Sequence, residues 1–358
     1  MSQINRIDGG LIDQEKVLNF TFNGQILKGY EGDTLASALL ANNKHLIGRS
    51  FKYHRPRGIV TAGSEEPNAI MEIGNGAYRE PNTRATVTKL YNGLEANSQN
   101  HRGPLSFDFM AITDFLSPLL GAGFYYKTFM WPKAFWEKFY EPAIRKSAGL
   151  GTLATEADPD TYDKGFRHCD ILIIGAGATG LSAALTAAES GAKIILADED
   201  FLMGGRLNSE TNEIDGIAGS EWAKKTVAKL GAMENVTLMS DTTVFGAYDH
   251  GIYGAIENRA SEARKDNDKP RQVNWRIYTK RAILCAGATE RLIAFGNNDR
   301  PGIMLASAVR TYLNRFAVAT GQRISVYTNN DDGWKTAKDL NAKGFRVAAV
   351  IDSRSISP

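Results

Sequence analysis

The chain reads as an α/β protein: a doubly wound dinucleotide-binding domain with inserted antiparallel strands, preceded by a small β-grasp module. Three features lead there. Residues 171–174 form a short apolar run suited to a buried parallel strand, Gly175, Gly177 and Gly180 follow in G-x-G-x-x-G spacing, and Ala-rich residues 178–190 supply a helix. Residues 193–197 then read as a second strand with Asp198 at its tip. Near the N-terminus, residues 17–22 alternate apolar and polar, Asn23-Gly24 marks a hairpin turn and residues 25–29 return.

A G-x-G-x-x-G alone is a weak signal. Set between strand and helix, with an acid at the next strand end, it is strong. The glycines let backbone amides approach a pyrophosphate, whose charge the helix N-terminus favours. Asp198 is expected to accept hydrogen bonds from a ribose 2′-OH and to repel a 2′-phosphate, which favours NAD or FAD over NADP. The acidic neighbours Glu199 and Asp200 strengthen that exclusion. Gly204, Gly205 and Arg206 repeat the logic of bare backbone near phosphate, with a guanidinium whose planar fork suits a phosphate oxygen.

The bulk properties narrow the setting. At 358 residues, two or three structural units are expected, and a hydrophobic content of 43% is that of an ordinary globular protein. A formal charge of +2 gives no reason to expect nucleic acid or an anionic membrane as partner. No apolar core follows a basic start in MSQINRIDGG, and the most apolar stretch, 107–139, is interrupted by Asp108, Asp114, Lys127 and Lys133. Neither a secretory signal nor a membrane helix is expected, and the cytoplasm is the default location. Cys169 and Cys285 read as buried, inert thiols, and without C-x-x-C there is no disulfide-reductase chemistry. The five histidines, His45, His54, His101, His168 and His250, lack metal-ligand spacing, so no metal site is expected. Catalytic residues stay unassigned; any chemistry must come from a cofactor that the protein positions.

Three blocks follow along the chain. Residues 1–100 are the β-grasp module, with Thr34 as N-cap of a helix running through Asn42 and a further strand over 69–73. Residues 101–165 are an aromatic-rich connector bearing Phe124, Tyr125, Tyr126, Phe129, Trp131, Phe135, Trp136, Phe139 and Tyr140, followed by an acidic linker, TEADPDTYDKG. Those aromatics are either core or a buried subunit contact. Residues 166–358 are the nucleotide domain, incomplete at its C-terminal end. There 221–230 is a helix, and 236–279 is an antiparallel excursion whose charged stretch 259–281 reads as a solvated hairpin loop. Strand 281–286 then rejoins the parallel sheet. A helix at 304–316 leads to a second βαβ unit over 323–351, in which Asp331 and Asp332 stand where a phosphate would need bare amides.

Four segments together carry a family resemblance: RSFKYHRPRGIVTAGSEEPNA at 49–69, the aromatic connector with FYYKTFMWPKAFWEKFYEPAIRKSAGLG, the fingerprint with ADEDFLMGGRL, and CAGATERLIAFGNNDRPGIM followed by VRTYLNRFAVATGQRISVYTNNDDG. In these the chain resembles the α subunit of the heterotetrameric sarcosine oxidases, over nearly its whole length. The resemblance implies a glutathione-reductase-like dinucleotide domain and an N-terminal module similar to a [2Fe–2S] ferredoxin. Related oxidases carry cluster cysteines in the loop corresponding to 59–69; this sequence has none there, so no cluster is expected. The resemblance further implies NAD on this subunit (FAD being the alternative), held by Gly175, Gly177, Thr179, Gly180, Asp198, Glu199, Asp200, Arg206 and the strand around Val244 and Phe245. FAD and FMN would belong mainly to the β subunit, with γ and δ subunits completing the complex. The tetrahydrofolate site would lie in an aminomethyltransferase-like half that this sequence, ending at Pro358, does not reach; the chain reads as truncated before it.

The implied activity is oxidative demethylation of sarcosine to glycine, with hydrogen peroxide formed and the one-carbon unit passed to tetrahydrofolate. This chain alone would not be competent for it. Rival readings are a stand-alone FAD-dependent oxidoreductase, an opine or amine dehydrogenase subunit, and a structural subunit whose NAD is redox-silent. Arg55 and Arg57 fit either a β-grasp loop or a β-subunit contact, the loop being the simpler reading.

Overall fold

Asn23 and Gly24, both at positive φ (49° and 75°), turn the chain between β1 (Asp13–Phe22) and β2 (Gln25–Glu31). This is the mirror-image turn that matches strand twist, and Asn-Gly meets it with least strain. The computed structural model describes residues 3–121, 123, 129, 131–149, 151–260 and 268–355. Its contacts divide into two compact units, Met1–Asp158 with Glu290–Pro358, and Pro159–Thr289.

In the first unit, α1 (Leu35–Ala41) starts in a complete capping box. The Thr34 hydroxyl accepts the Ser37 N–H and the Ser37 hydroxyl accepts the Thr34 N–H. Every residue of α1 is buried. It packs with Phe20, Leu27, Met71 and Leu94, which come from the hairpin, β3 (Ile70–Ile73) and β5 (Leu94–Ser98). With β4 (Glu80–Arg84) the sheet order is β2-β1-β5-β3-β4, parallel only between β1 and β5. One helix across a mixed sheet is the β-grasp arrangement the sequence predicts.

The connector is tied to this module. Arg49 donates to the Leu105 and Ser106 carbonyls, and buried His54 contacts Asp108 at 2.6 Å. Among its described aromatics Trp131 is 83% exposed, and Phe135 and Phe139 are exposed too, so these three are not core, while Phe129, Trp136 and Tyr140 are half-buried. Phe124, Tyr125 and Tyr126 lie outside the described residues. Arg55 grips Asp299 with two hydrogen bonds of 2.8 Å, and Arg57 pairs with the same carboxylate. Both arginines therefore serve an internal ion cluster.

The second unit is one six-stranded sheet. β6 (Tyr162–Ile174), β7 (Ile194–Ala197), β8 (Val236–Met239), β9 (Thr242–Tyr248), β10 (Ile252–Asn258) and β11 (Gln272–Leu284) run in the order β8-β7-β6-β11-β10-β9. The first four are mutually parallel, and β10 and β9 add on antiparallel. Alternate residues of β6 enter two cores, Ile173 one and Leu172 the other, as a parallel strand covered on both faces requires. α2 (Ala178–Glu189) and α3 (Gly219–Gly231) contribute Leu181, Ala184, Ala223 and Leu230 to the first of these.

Three expectations need correction here. The antiparallel excursion does not span 236–279: Val236–Met239 lies parallel to β7 and the chain from Gln272 parallel to β6, and β9 and β10 alone form the antiparallel addition. β6 begins well before residue 171 and takes in Tyr162 to Gly165 of the expected linker, because β11 pairs with it in register from Gln272 onward. For the same reason the charged stretch 259–281 is not a loop throughout. It is strand from Gln272, and residues 261–267 lie outside the described residues.

The chain then returns to the first unit with α4 (Ala306–Asn314), β12 (Arg323–Thr328), α5 (Asp331–Ala342) and β13 (Arg346–Asp352). β12 and β13 are parallel with α5 between them, a βαβ unit. Leu305, Ala308, Tyr312, Phe316 and Val318 join the β-grasp core rather than the nucleotide sheet, so the structure groups residues 290–358 differently from the three consecutive blocks. Asp332 pairs with Arg310 and Asp331 with Arg354. No helix among the described residues is long and apolar enough to cross a membrane.

Candidate functional site

The glycine loop lies between the end of β6 and α2, and its three glycines perform three different tasks. Gly175 turns the chain at φ 99°, where an added Cβ would stand 2.4 Å from the Cys285 carbonyl oxygen. Gly180 lets α2 pack on the loop: a Cβ there would be 1.8 Å from the Gly175 carbonyl oxygen. Gly177, the N-cap of α2, has nothing within 4 Å of its missing Cβ. That open space leaves the backbone bare, as the close approach of a pyrophosphate would require. The set is the cradle expected for a dinucleotide, and the residues fit that group.

Asp198 follows β7, and both its carboxylate oxygens are engaged. One accepts the Ala176 N–H at the centre of the glycine loop, the other the Asp200 N–H at 2.8 Å. Burial raises its pKa, against the lowering effect of those two amides, with Asp200 and Glu199 adding repulsion. Asp198 thus ties loop to strand end, and its remaining lone pairs are what a ribose could use. Glu199 beside it is exposed. The Asp200 carboxylate accepts the Leu202 N–H at 3.0 Å and starts the turn toward Gly204.

Gly204 and Gly205, at φ 135° and 53°, bring that turn against the loop. Gly204 donates to the Ala176 carbonyl at 2.9 Å, and a Cβ on Gly205 would lie 3.0 Å from Gly177 Cα. The structure thus assembles Gly175, Gly177, Gly180, Asp198, Gly204 and Gly205 at one sheet end. Thr179 is exposed on the first turn of α2. Arg206 is exposed and ion-paired with Glu210 at 2.7 Å. At the start of β9 the Thr242 N–H donates to the Asp198 carbonyl, which places that strand beside the acid. Val244 packs in the second core, whereas the Phe245 ring covers Gly254 farther out at a register shift.

Ala176 lies outside the residues that the sequence points to, yet its N–H and C=O join three parts of the site. The signal was present: it is the one residue between the first two glycines. Cys169 is buried, Cys285 half-buried, and burial raises both thiols. His168 stacks on Tyr278, ring centroids 5.0 Å apart.

Comparison with known proteins extends this picture. A family model described as FAD dependent oxidoreductase matches residues 170–274, and one described as 2Fe-2S iron-sulfur cluster binding domain matches residues 15–101. Sarcosine oxidase subunit alpha of Rhizobium meliloti (strain 1021) is 54% identical over 96% of this chain and 35% of its own length. The likeness is to sarcosine oxidase alpha subunits. That of Corynebacterium sp. (strain U-96) is 37% identical over 97% of this chain and 31% of its own. The chain spans roughly a third of the length of these relatives. The resemblance drawn from the four sequence segments is borne out. Among solved structures, L-proline dehydrogenase from P. horikoshii aligns with a TM-score of 0.63 at 19% identity, covering 98% of this chain and 56% of that one, a likeness of fold. Dinucleotide-binding oxidoreductase architecture, preceded by a ferredoxin-like module, is the fold class of this chain.

Proposed function

We propose that this chain is the nucleotide-binding part of the alpha subunit of a sarcosine oxidase complex. The complex would oxidise sarcosine to glycine, form hydrogen peroxide and hand the one-carbon unit to tetrahydrofolate. The observation that carries this reading is the assembled cradle of Gly175, Gly177 and Gly180 with Asp198, in a chain 54% identical to such a subunit. The nucleotide proposed here is NAD. Asp198 and Glu199 at the strand end oppose a 2′-phosphate, and the cradle itself needs only the adenosine diphosphate portion. A bound dinucleotide supplies hydride-accepting chemistry or, if it never turns over, stability; saturation at about a hundred times Kd adds ~2.7 kcal/mol.

The reading places FAD and FMN mainly with a β subunit, and γ and δ subunits complete the assembly. The outward aromatics of the connector, Trp131, Phe135 and Phe139, suit a protein contact, because such groups are rarely left in water together. A second reading keeps FAD on this chain, favoured by the FAD dependent oxidoreductase match over residues 170–274.

Co-purification with the partner subunits tests the assignment. Peroxide formation should depend on sarcosine and not on opines, and acid-released nucleotide from the isolated chain should run as NAD. A yellow chain that retains a flavin spectrum through gel filtration would transfer the assignment to FAD. A complex inert toward sarcosine would end it.

A further inference from the structure

The ferredoxin-like module contains a buried carboxylate that the nucleotide site does not use. Glu66 is 1% exposed and lies in the loop 59–69, where cluster-bearing relatives of the module would present thiolates. One of its oxygens accepts the Val60 N–H at 3.0 Å, the Thr61 N–H at 2.7 Å and the Thr61 hydroxyl at 3.1 Å. The other accepts the Asn68 N–H at 2.8 Å and the Ala69 N–H at 2.9 Å. Four backbone amides and a hydroxyl thus converge on a single anion. An unpaired carboxylate here would cost several kcal/mol, and this many charge-assisted bonds offset it.

Concave sets of backbone N–H groups are the same device that surrounds the sulfurs of iron–sulfur centres. The match to a 2Fe-2S binding domain implies such a centre, but the residues do not fit one. Cys169 and Cys285 are the chain's two cysteines, both beyond the module, and the amides of the loop are already turned onto Glu66.

The carbonyls of residues 60 and 61 carry a second set of bonds. The Val60 carbonyl accepts the Leu305 N–H at 2.9 Å, and the Thr61 carbonyl accepts the Tyr312 hydroxyl at 2.8 Å. Tyr312 is fully buried, and burial holds its phenol far above the ordinary range, so it remains a neutral donor. Residues 60 and 61 therefore donate inward to the carboxylate and accept outward from the start and body of α4. The Val60 carbonyl and the Thr61 N–H belong to one peptide unit, and polarisation through it strengthens the Leu305 and Glu66 bonds together.

We propose that Glu66 stands in for the cluster as the anion around which this loop is built, converting an electron-transfer loop into the structural junction that holds α4. The module then carries no electrons. This inference does not rest on the proposed sarcosine oxidase activity.

Three measurements on the full chain test it. Anaerobic incubation with ferrous iron and sulfide, followed by desalting, should leave no visible chromophore and no stoichiometric iron. A reconstituted cluster would overturn the proposal. Glu66→Gly leaves the amides facing an empty space, and its Tm should fall by on the order of 10 °C. Acetate or formate should restore part of that loss saturably, while chloride at equal ionic strength should not. Glu66→Gln fills the space with an amide and should be destabilised without rescue. Wild-type stability in Glu66→Gly, or a folded variant indifferent to acetate, would refute the anion role. Should the glycine variant not fold, refolding yield in acetate against chloride reads the same question. Finally, Glu66→Gln and Tyr312→Phe should be non-additive in a double-mutant cycle, since Glu66 accepts the Thr61 N–H and hydroxyl while Tyr312 donates to the Thr61 carbonyl, so both fix the same residue. Strict additivity would remove the junction from the proposal.

Discussion

The carboxylate of Asp198 accepts the backbone N–H of Ala176, so the acid that ends β7 is held against the middle of the glycine loop. Strand tip, loop and the Gly204 turn meet at this one residue, since the Ala176 carbonyl accepts the Gly204 N–H. An acid in that position can both shape the loop and present lone pairs to a ribose. Asp198→Asn keeps the size but turns an N–H₂ toward one of the two amide donors. NAD affinity should fall about tenfold, the equivalent of one hydrogen bond near 1.4 kcal/mol. Isothermal titration with NAD and with NADP measures this. An unchanged Kd for NAD would show that Asp198 serves the loop alone.

Gly177 and Gly180 should respond in opposite ways to the same substitution. Gly180→Ala forces a methyl to within 1.8 Å of the Gly175 carbonyl, so α2 must shift and stability should fall by about 3 kcal/mol or more. Gly177→Ala meets no protein atom within 4 Å; its melting temperature should stay close to wild type while dinucleotide binding is lost. Thermal melts with and without NAD separate the two. Retained binding in Gly177→Ala would move the pyrophosphate elsewhere.

Asp299 provides a pH prediction for the first unit. The Arg55 hydrogen bonds, helped by Arg57, lower its pKa from 3.8 to about 2. A depressed carboxylate contributes stability above its unfolded value, and that contribution is lost as pH falls from 3.8 through about 2. Asp299→Asn should cost about 2 kcal/mol near neutral pH. Urea titrations at successively lower pH should show the gap between wild type and variant closing over that window. A constant gap would mean the ion cluster does not act through charge.

Thr34→Ala removes half of the capping box at the start of α1. Because Thr34 and Ser37 are buried, the orphaned Ser37 N–H cannot turn to water, and the cost should lie toward ~2 kcal/mol. The other half, the Ser37 hydroxyl accepting the residue 34 N–H, stays in place because its donor is backbone. Denaturant midpoints of the two proteins give the answer; a difference within error would show the helix held by packing alone.

Much of the architecture is legible along the chain because its signals are local. The Asn23-Gly24 turn, the Thr34 cap, the glycine spacing and the apolar run at 171–174 each act within a few residues, and each lies where the sequence places it. Partner choice over long separations is not written that way. Tyr162–Gly165 reads as linker because its strand character comes from Gln272 to Trp275, more than a hundred residues later. The connector's aromatics look equally suited to core or contact until the structure leaves Trp131 and Phe139 in solvent.

The same division holds for chemistry. Residue type and spacing alone establish a dinucleotide cradle and the lack of thiolates in residues 1–168, since those depend on backbone freedom and on which atoms exist at all. Whether an acid faces a ligand, a loop or a cation is decided by folding. Asp198 turns onto Ala176, Glu66 onto four amides and Asp299 onto Arg55, because a half-buried or buried carboxylate takes whatever donors the tertiary arrangement leaves without water.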